Sequence, residues 1–314
     1  MKFDLKNYFS YKMDLVLLTI TIILLILALS LSIAQYTDVA VISSNNIDPI
    51  LWPVFWEGKF SVMHKQGTII NYIHSILPEN MILIIPASDG DNGLINDCRW
   101  RKVKSKFSNY KISVVGTLAQ RRELANINYL YLPLDDDFFQ FGVRHYFQDL
   151  IPWSDRSSKL FWRGIDSGPK NNGYSLRRRF AEKLKDHNVQ IAKKDSKTRV
   201  PYTEFLKYKV FFIIDGAVIA SNHMWAFATG CVVVMISNSK CWFSDLVKPW
   251  IHYVPISYDL SDLEENLTWI KEHDLEAELI ANNALKFAGE YFSVDYQREY
   301  LRKSIIKLSL NNIK

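Results

Sequence analysis

A chain of 314 residues that is 48% hydrophobic and 14% aromatic has enough apolar material for one large or two ordinary globular domains, which excludes a disordered or fibrous protein. Its formal net charge of +5 comes without a long basic run, so the charge gives no nucleic-acid footprint. Three scattered cysteines, Cys98, Cys231 and Cys241, exclude a disulfide framework and a CxxC metal site.

In chain order, residues 1–14 precede an uncharged apolar stretch, Leu15 to Ala34, long enough as a helix to cross a bilayer's hydrocarbon core. Small residues at Ser32 and Ala34 leave a cleaved signal peptide as the rival reading, but the run exceeds the usual signal length, so an anchor is predicted. Lys2, Lys6 and Lys12 precede the stretch, and no Lys or Arg follows until Lys59. The positive-inside rule then puts the N-terminus in the cytosol and the rest on the lumenal or periplasmic side, with the cytosolic face as the alternative. Residues 35–59 read as a stem, with a weak strand at Val39 to Ile42.

Residues 60–155 read as a first α/β domain: a helix near Thr68 to Ile76, strands at Met81 to Ile85, Ile112 to Val115 and Tyr129 to Leu132, and a polar helix over Ala119 to Leu124. Residues 156–290 repeat the alternation, with a strand ending at Arg163-Gly164, a helix over Tyr174 to Leu184, a short strand near Val189 to Ile191, and a strand ending at Asp215-Gly216. Ser221 then opens a helix that Gly230 closes before the run Cys231 to Ile236. Ser261 followed by Glu264 predicts a capping box for a helix carrying Leu263, Leu267 and Ile270, and residues 291–314 hold a last helix. The alternation predicts parallel sheets wrapped by helices, that is, two Rossmann-like domains facing a cleft behind an N-terminal transmembrane helix.

Chemistry concentrates at strand ends, where α/β proteins place ligands. Arg163, and Arg177, Arg178 and Arg179 in the first turns of a helix, suit a diphosphate, because guanidinium groups grip phosphate oxygens in bidentate fashion. Asp215, Gly216 and the helix at Ser221 form a strand-turn-helix unit whose free N–H groups favour an anion. Asp89 and Asp91 lie in a Gly-containing loop after an apolar strand, although Asp-Gly pairs are also ordinary turn formers. Asp135-Asp136-Asp137 lacks a matched second cluster and reads as a solvated loop rather than a metal site.

Several ordered motifs give a more specific signal. WRG (Trp162 to Gly164), KYKVFFIIDG (Lys207 to Gly216), the Ser221 helix, KPWIHYVP (Lys248 to Pro255) and DLSDL (Asp259 to Leu263) resemble glycosyltransferase family 90, which holds protein O-glucosyltransferases, capsule xylosyltransferases and lipopolysaccharide-modifying enzymes. The likeness is dense from about Lys159 to Phe292, weaker from Leu77 to Pro152, and absent before that. It implies a GT-B architecture and an inverting, metal-independent transfer of a sugar from a nucleotide-sugar, a UDP-sugar, to a hydroxyl of a glycan, lipopolysaccharide or protein acceptor. No cofactor is implied beyond that substrate. The resemblance makes Asp89 the general base, with Asp91 and Asp137 as alternatives. It puts Phe138 and Phe139 on the acceptor side, and Arg163, Ser167, Arg177 or Arg178, Asp215, Gly216 and Ser221 on the donor side. Where the family has an arginine two residues after that serine, this chain has His223, which supplies no fixed charge at neutral pH. A non-catalytic binding relative of the same fold is the competing expectation. A dinucleotide-dependent oxidoreductase is disfavoured, because no strand is followed by GxGxxG.

Overall fold

The computed structural model describes residues 39–43, 47–48, 67–86, 109–117, 119–122, 129–133, 142, 150–192 and 200–311. The first half contains β1 (Val39–Ser43), β2 (Ile47–Asp48), α1 (Gly67–Ile76), β3 (Met81–Pro86), β4 (Ile112–Thr117), β5 (Ala119–Arg121) and β6 (Tyr129–Tyr131). Five of these strands form one sheet in the order β2-β1-β3-β4-β6. The β3-β4 and β4-β6 pairs are parallel, whereas β1 runs antiparallel to both β2 and β3.

The second half contains β7 (Phe161–Ile165), β8 (Lys170–Asn171), β9 (Tyr174–Ser175), α2 (Leu176–Lys183), β10 (Asn188–Ala192), α3 (Tyr202–Phe205), β11 (Val210–Ile214), α4 (His223–Ala226), β12 (Val232–Ile236), β13 (Ser239–Cys241) and β14 (Val254–Pro255). Three helices close it: α5 (Leu263–Glu272), α6 (Asp274–Tyr291) and α7 (Val294–Asn311). β11 is buried at every residue. Phe212 and Ile214 pack on one side with Phe180 of α2 and Ile280 of α6, and Phe211 and Ile213 on the other with Phe227 beyond α4. A strand covered on both faces reads as a continuous apolar run, which is why VFFII is legible without alternation.

Two expectations about architecture are corrected. The second half is not one doubly wound sheet. It splits into a parallel β10-β7 pair and a parallel β11-β12-β14 sheet; β7 and β11 lie side by side without a ladder, and an isolated parallel bridge between Ser157 and Tyr208 precedes both strands. Beyond that bridge the space between the strand ends is taken by the Arg177 guanidinium, which occupies carbonyls that a ladder would otherwise use. Together with the mixed first sheet, this gives an α/β arrangement of small sheets instead of the expected pair of Rossmann-like GT-B domains. The transmembrane helix is likewise unsupported. Among the described residues no helix is long and apolar enough to cross a membrane, and Leu15 to Ala34 lies outside them.

Local corrections follow the same physics. Residues 119–121 form a strand, not a helix, because β5 pairs antiparallel with β13, Ala119 facing Cys241 and Arg121 facing Ser239. The first two residues of the expected Tyr174 helix are instead β9 of a β8-β9 hairpin with Asn172 and Gly173 both at positive φ, the Asn-Gly pairing that a tight two-residue turn requires. The capping box at Ser261 does not form. α5 starts after Asp262, whose carboxylate instead accepts the N–H and hydroxyl of Ser257 at 2.8 and 2.9 Å.

Arg156, which carried no expectation, is 5% exposed beneath β12. Its guanidinium donates to the carbonyls of Ile151 and Thr229 at 2.9 and 2.8 Å and to Cys231 Sγ at 2.9 Å. α7 crosses back to the first half, where Leu301, Ile305 and Leu308 join Ile69, Ile73, Val114 and Leu130 in one core.

Candidate active site

The carboxyl ends of β7 and β11 are held against each other by a close backbone approach. Gly168, at φ +97°, lies so near Gly216 that a Cβ there would stand 2.3 Å from the Gly216 carbonyl oxygen. A Cβ on Gly216 would stand 2.6 Å from Ser167 Oγ. Only glycine fits at position 168, where both the positive φ and the facing backbone exclude a side chain, and a side chain at 216 would have to displace Ser167; the loop after each strand thereby meets the other. The structure thus brings together Ser167, Arg177, Asp215 and Gly216 from the predicted set.

Arg177 fixes this junction. It donates to the Ile165 carbonyl (3.0 Å) and Ser167 Oγ (2.9 Å) through one terminal nitrogen, and to the Ile214 carbonyl through Nε (3.2 Å) and the other terminal nitrogen (3.0 Å). Those four bonds use four of the five N–H groups a guanidinium carries. Burial pushes its pKa down, and the charges of Asp215 and Asp166 oppose that. Arg178 points elsewhere. It pairs with Asp166 at 3.0 Å, and Asp166 also accepts the Ser175 hydroxyl. Ser175 in turn caps α2 by accepting the Arg178 N–H at 3.0 Å. Arg163 is turned along the sheet, donating to the Asn188 carbonyl at 2.8 Å, with its guanidinium 4.8 Å from the Phe161 ring centre.

Asp215 is 3% exposed. One carboxylate oxygen accepts the Asn238 N–H and the Ser239 hydroxyl, both at 2.9 Å, and ties β11 to the turn leading into β13. Its other oxygen is buried without a hydrogen-bond partner. Burial raises its pKa against the pull of the Ser237 hydroxyl, of the Asn238 and Ser239 bonds and of the Arg177 charge. Ser221 is exposed in the turn ahead of α4.

His223 is 2% exposed, with Nδ1 on the Ala220 carbonyl and its ring centre 5.3 Å from that of Phe243. Burial pushes its pKa down from 6.5 to about 4, so it is neutral at physiological pH. Because the folded pKa lies below the unfolded one, stability is intact above pH 6.5 and drains away as pH falls toward 4. The loss should reach about 3 kcal/mol at about 1.4 kcal/mol per pKa unit. Chemical denaturation at pH 7, 5.5 and 4 should show this slope in the wild type and a flatter one in His223→Phe; identical slopes would remove the assignment.

Asp89, Asp91, Asp137, Phe138 and Phe139 lie outside the described residues. No cluster of three or more His, Cys, Asp or Glu side chains placed to hold a metal ion occurs among the described residues. Sequence reasoning missed Asp166 as the partner of Arg178 and Ser175. The signal was available, since a Ser three residues ahead of Arg178 is an N-cap pattern.

Residues 145–309, more than half of the chain, match the profile of Glycosyl transferase family 90. Among similar proteins, an uncharacterized protein, 179R of Invertebrate iridescent virus 6, is 36% identical over 113 residues, covering 33% of this chain and 10% of that protein. Protein O-glucosyltransferase 2 of Danio rerio is 32% identical over 154 residues, 46% of this chain and 31% of that protein. Protein O-glucosyltransferase 1 of Homo sapiens is 26% identical over 155 residues, 46% of this chain and 40% of its own length. The chain therefore spans less than half the length of these relatives. The matched region contains β7, α2, β11 and the Ser167–Gly216 junction, and the chain belongs to glycosyltransferase family 90.

Proposed function

We propose that the protein moves a sugar from a UDP-sugar to a hydroxyl of a protein or glycan acceptor, with inversion and without a metal. The reading is carried by the junction of Ser167-Gly168 with Asp215-Gly216 at the carboxyl ends of two parallel strands, the place where open α/β sheets take phosphorylated ligands. Relatives named protein O-glucosyltransferase favour a glucosyl donor and a protein hydroxyl as acceptor. In an inverting transfer the acceptor oxygen attacks the anomeric carbon, its proton passes to a carboxylate, and the bond to the nucleoside diphosphate breaks as the diphosphate leaves. We assign the carboxylate to Asp89 on its position after β3.

A panel of UDP-glucose, UDP-xylose, UDP-galactose and GDP-mannose, offered with folded serine-containing domains and oligosaccharides, tests this. Release of UDP that depends on acceptor, persists in EDTA and yields a product of inverted anomeric configuration is expected. Turnover only with added divalent metal would overturn the metal-free mechanism, and retained configuration would overturn the inverting one.

A further inference from the structure

We infer that Asp215 is a positioning residue: through Asn238 and Ser239 its carboxylate registers the first half, whose β3 leads to the proposed base, against the donor-side junction. The inference rests on the roles proposed above, with the donor at the junction and Asp89 beyond β3. The Asp215 backbone belongs to the junction, but its carboxylate is spent on β13. Asn238 faces two ways. Its N–H goes to the Asp215 carboxylate and its carbonyl accepts the Arg122 N–H, both at 2.9 Å. In an antiparallel ladder a bonded pair exchanges both N–H groups, and here Asp215 has taken the Asn238 one. Ser239 repeats the arrangement with its hydroxyl on the same carboxylate oxygen at 2.9 Å and its backbone opposite Arg121 in the β5-β13 ladder.

From β5 the connection reaches the first sheet within a few residues. One residue separates β5 from β4. Thr117 at the end of β4 donates its hydroxyl to the Ala119 carbonyl at 3.0 Å, and the Tyr131 hydroxyl of β6 donates to Gln120 Oε1 at 3.4 Å. β5 is thus fixed to the carboxyl ends of β4 and β6. Asp215, Ser239, Gln120 and Thr117 are each 1 to 3% exposed, so opening any of these bonds would strand polar groups away from water. The connection therefore holds one geometry. α7 joins the halves independently, so cutting the Asp215 link shifts them without releasing them. Transfer needs the acceptor oxygen and its base in line with the anomeric carbon, and a misplacement of about 1 Å costs roughly 100-fold in rate. The rival role for Asp215 is countercharge to Arg177, whose charge acts on it. An amide at 215 separates the two, since it removes the charge and keeps the acceptor oxygen.

Steady-state kinetics, UDP calorimetry and hydrogen exchange on the full chain test the assignment. Asp215→Ala should lower kcat by about 10- to 100-fold, while the donor KM and UDP affinity stay within about threefold of wild type. Asp215→Asn should rescue most of that kcat. Ser239→Ala, which removes a single hydroxyl, should lower kcat less and in the same pattern, and combining it with Asp215→Ala should cost little more, because both cut one link. Amides of residues 119–122 and 238–241 should exchange about tenfold faster in Asp215→Ala and those of residues 188–192 at the wild-type rate. A fall in UDP affinity as large as the fall in kcat makes Asp215 a donor contact and overturns the inference. So does an Asp215→Asn protein as slow as Asp215→Ala, or unchanged exchange over residues 119–122, and each of these leaves the proposed function standing. A wild type that transfers no sugar from any nucleotide-sugar would fell the proposed function, and the exchange measurement would still decide whether Asp215 holds the halves in register.

Discussion

Arg177→Met should destabilise the fold by about 3 to 5 kcal/mol, the scale for removing one side of a buried charged network. The guanidinium hydrogen-bonds the ends of both β7 and β11, between which no ladder runs. Its removal leaves the carbonyls of Ile165 and Ile214 and the Ser167 hydroxyl without their donor. Filling the site with water is opposed by the packing of Gly168 on Gly216. Arg177→Lys should rescue little, since a single ammonium cannot reach both carbonyls in the geometry of a fork. A fall in Tm on the order of 10 °C is expected in thermal denaturation. An unchanged Tm with weakened nucleotide binding would make Arg177 a ligand contact instead of a structural bridge. The comparison with Arg178 is sharp: its ion pair with Asp166 is partly exposed, and exposed pairs contribute about 1 kcal/mol or less.

Asp89→Asn should lower turnover roughly a hundredfold or more while leaving UDP affinity nearly unchanged, because an amide keeps the size and loses only the ability to take the acceptor's proton. Steady-state rates with saturating donor separate the two effects. Asp91→Asn and Asp137→Asn belong in the same series. Loss at either one, with Asp89→Asn active, would move the base to that position. Full activity in all three variants would falsify a carboxylate base at these positions.

How far the sequence carried depended on whether the deciding contact was local. β11 and β12 were legible because burial on both faces produces unbroken apolar runs, whereas the helix expected from Ser221 to Gly230 is the four residues His223–Ala226, capped at Phe227 well short of Gly230. The motifs around WRG and KYKVFFIIDG pointed to the family that the match over residues 145–309 shows. Ala119 to Leu124 has helical composition, yet Ala119–Arg121 pair with Ser239–Cys241, a partner more than a hundred residues away that local propensity cannot register. The three arginines were recognisable as a cluster, but which one bridges strands and which pairs with Asp166 depends on helix phase and on the loops that surround α2. His223 was read as a weak substitute for a charged donor contact. Its burial against Phe243 shows a core side chain, and only its tertiary surroundings could show that.

The return of α7 to the first half bears on the order in which the protein can be made. Leu301, Ile305 and Leu308 fill the same core as Ile69, Ile73, Val114 and Leu130. During synthesis the residues of α1, β3 and β4 leave the ribosome first but lack the helix that covers them, so their apolar surface stays open while nearly two hundred further residues are added. The second half, whose β7-to-α6 core is contiguous in sequence, can fold ahead of them. The usual vectorial order is thereby inverted: the amino-terminal sheet is the last part to close, and until α7 arrives it is the surface a chaperone would hold.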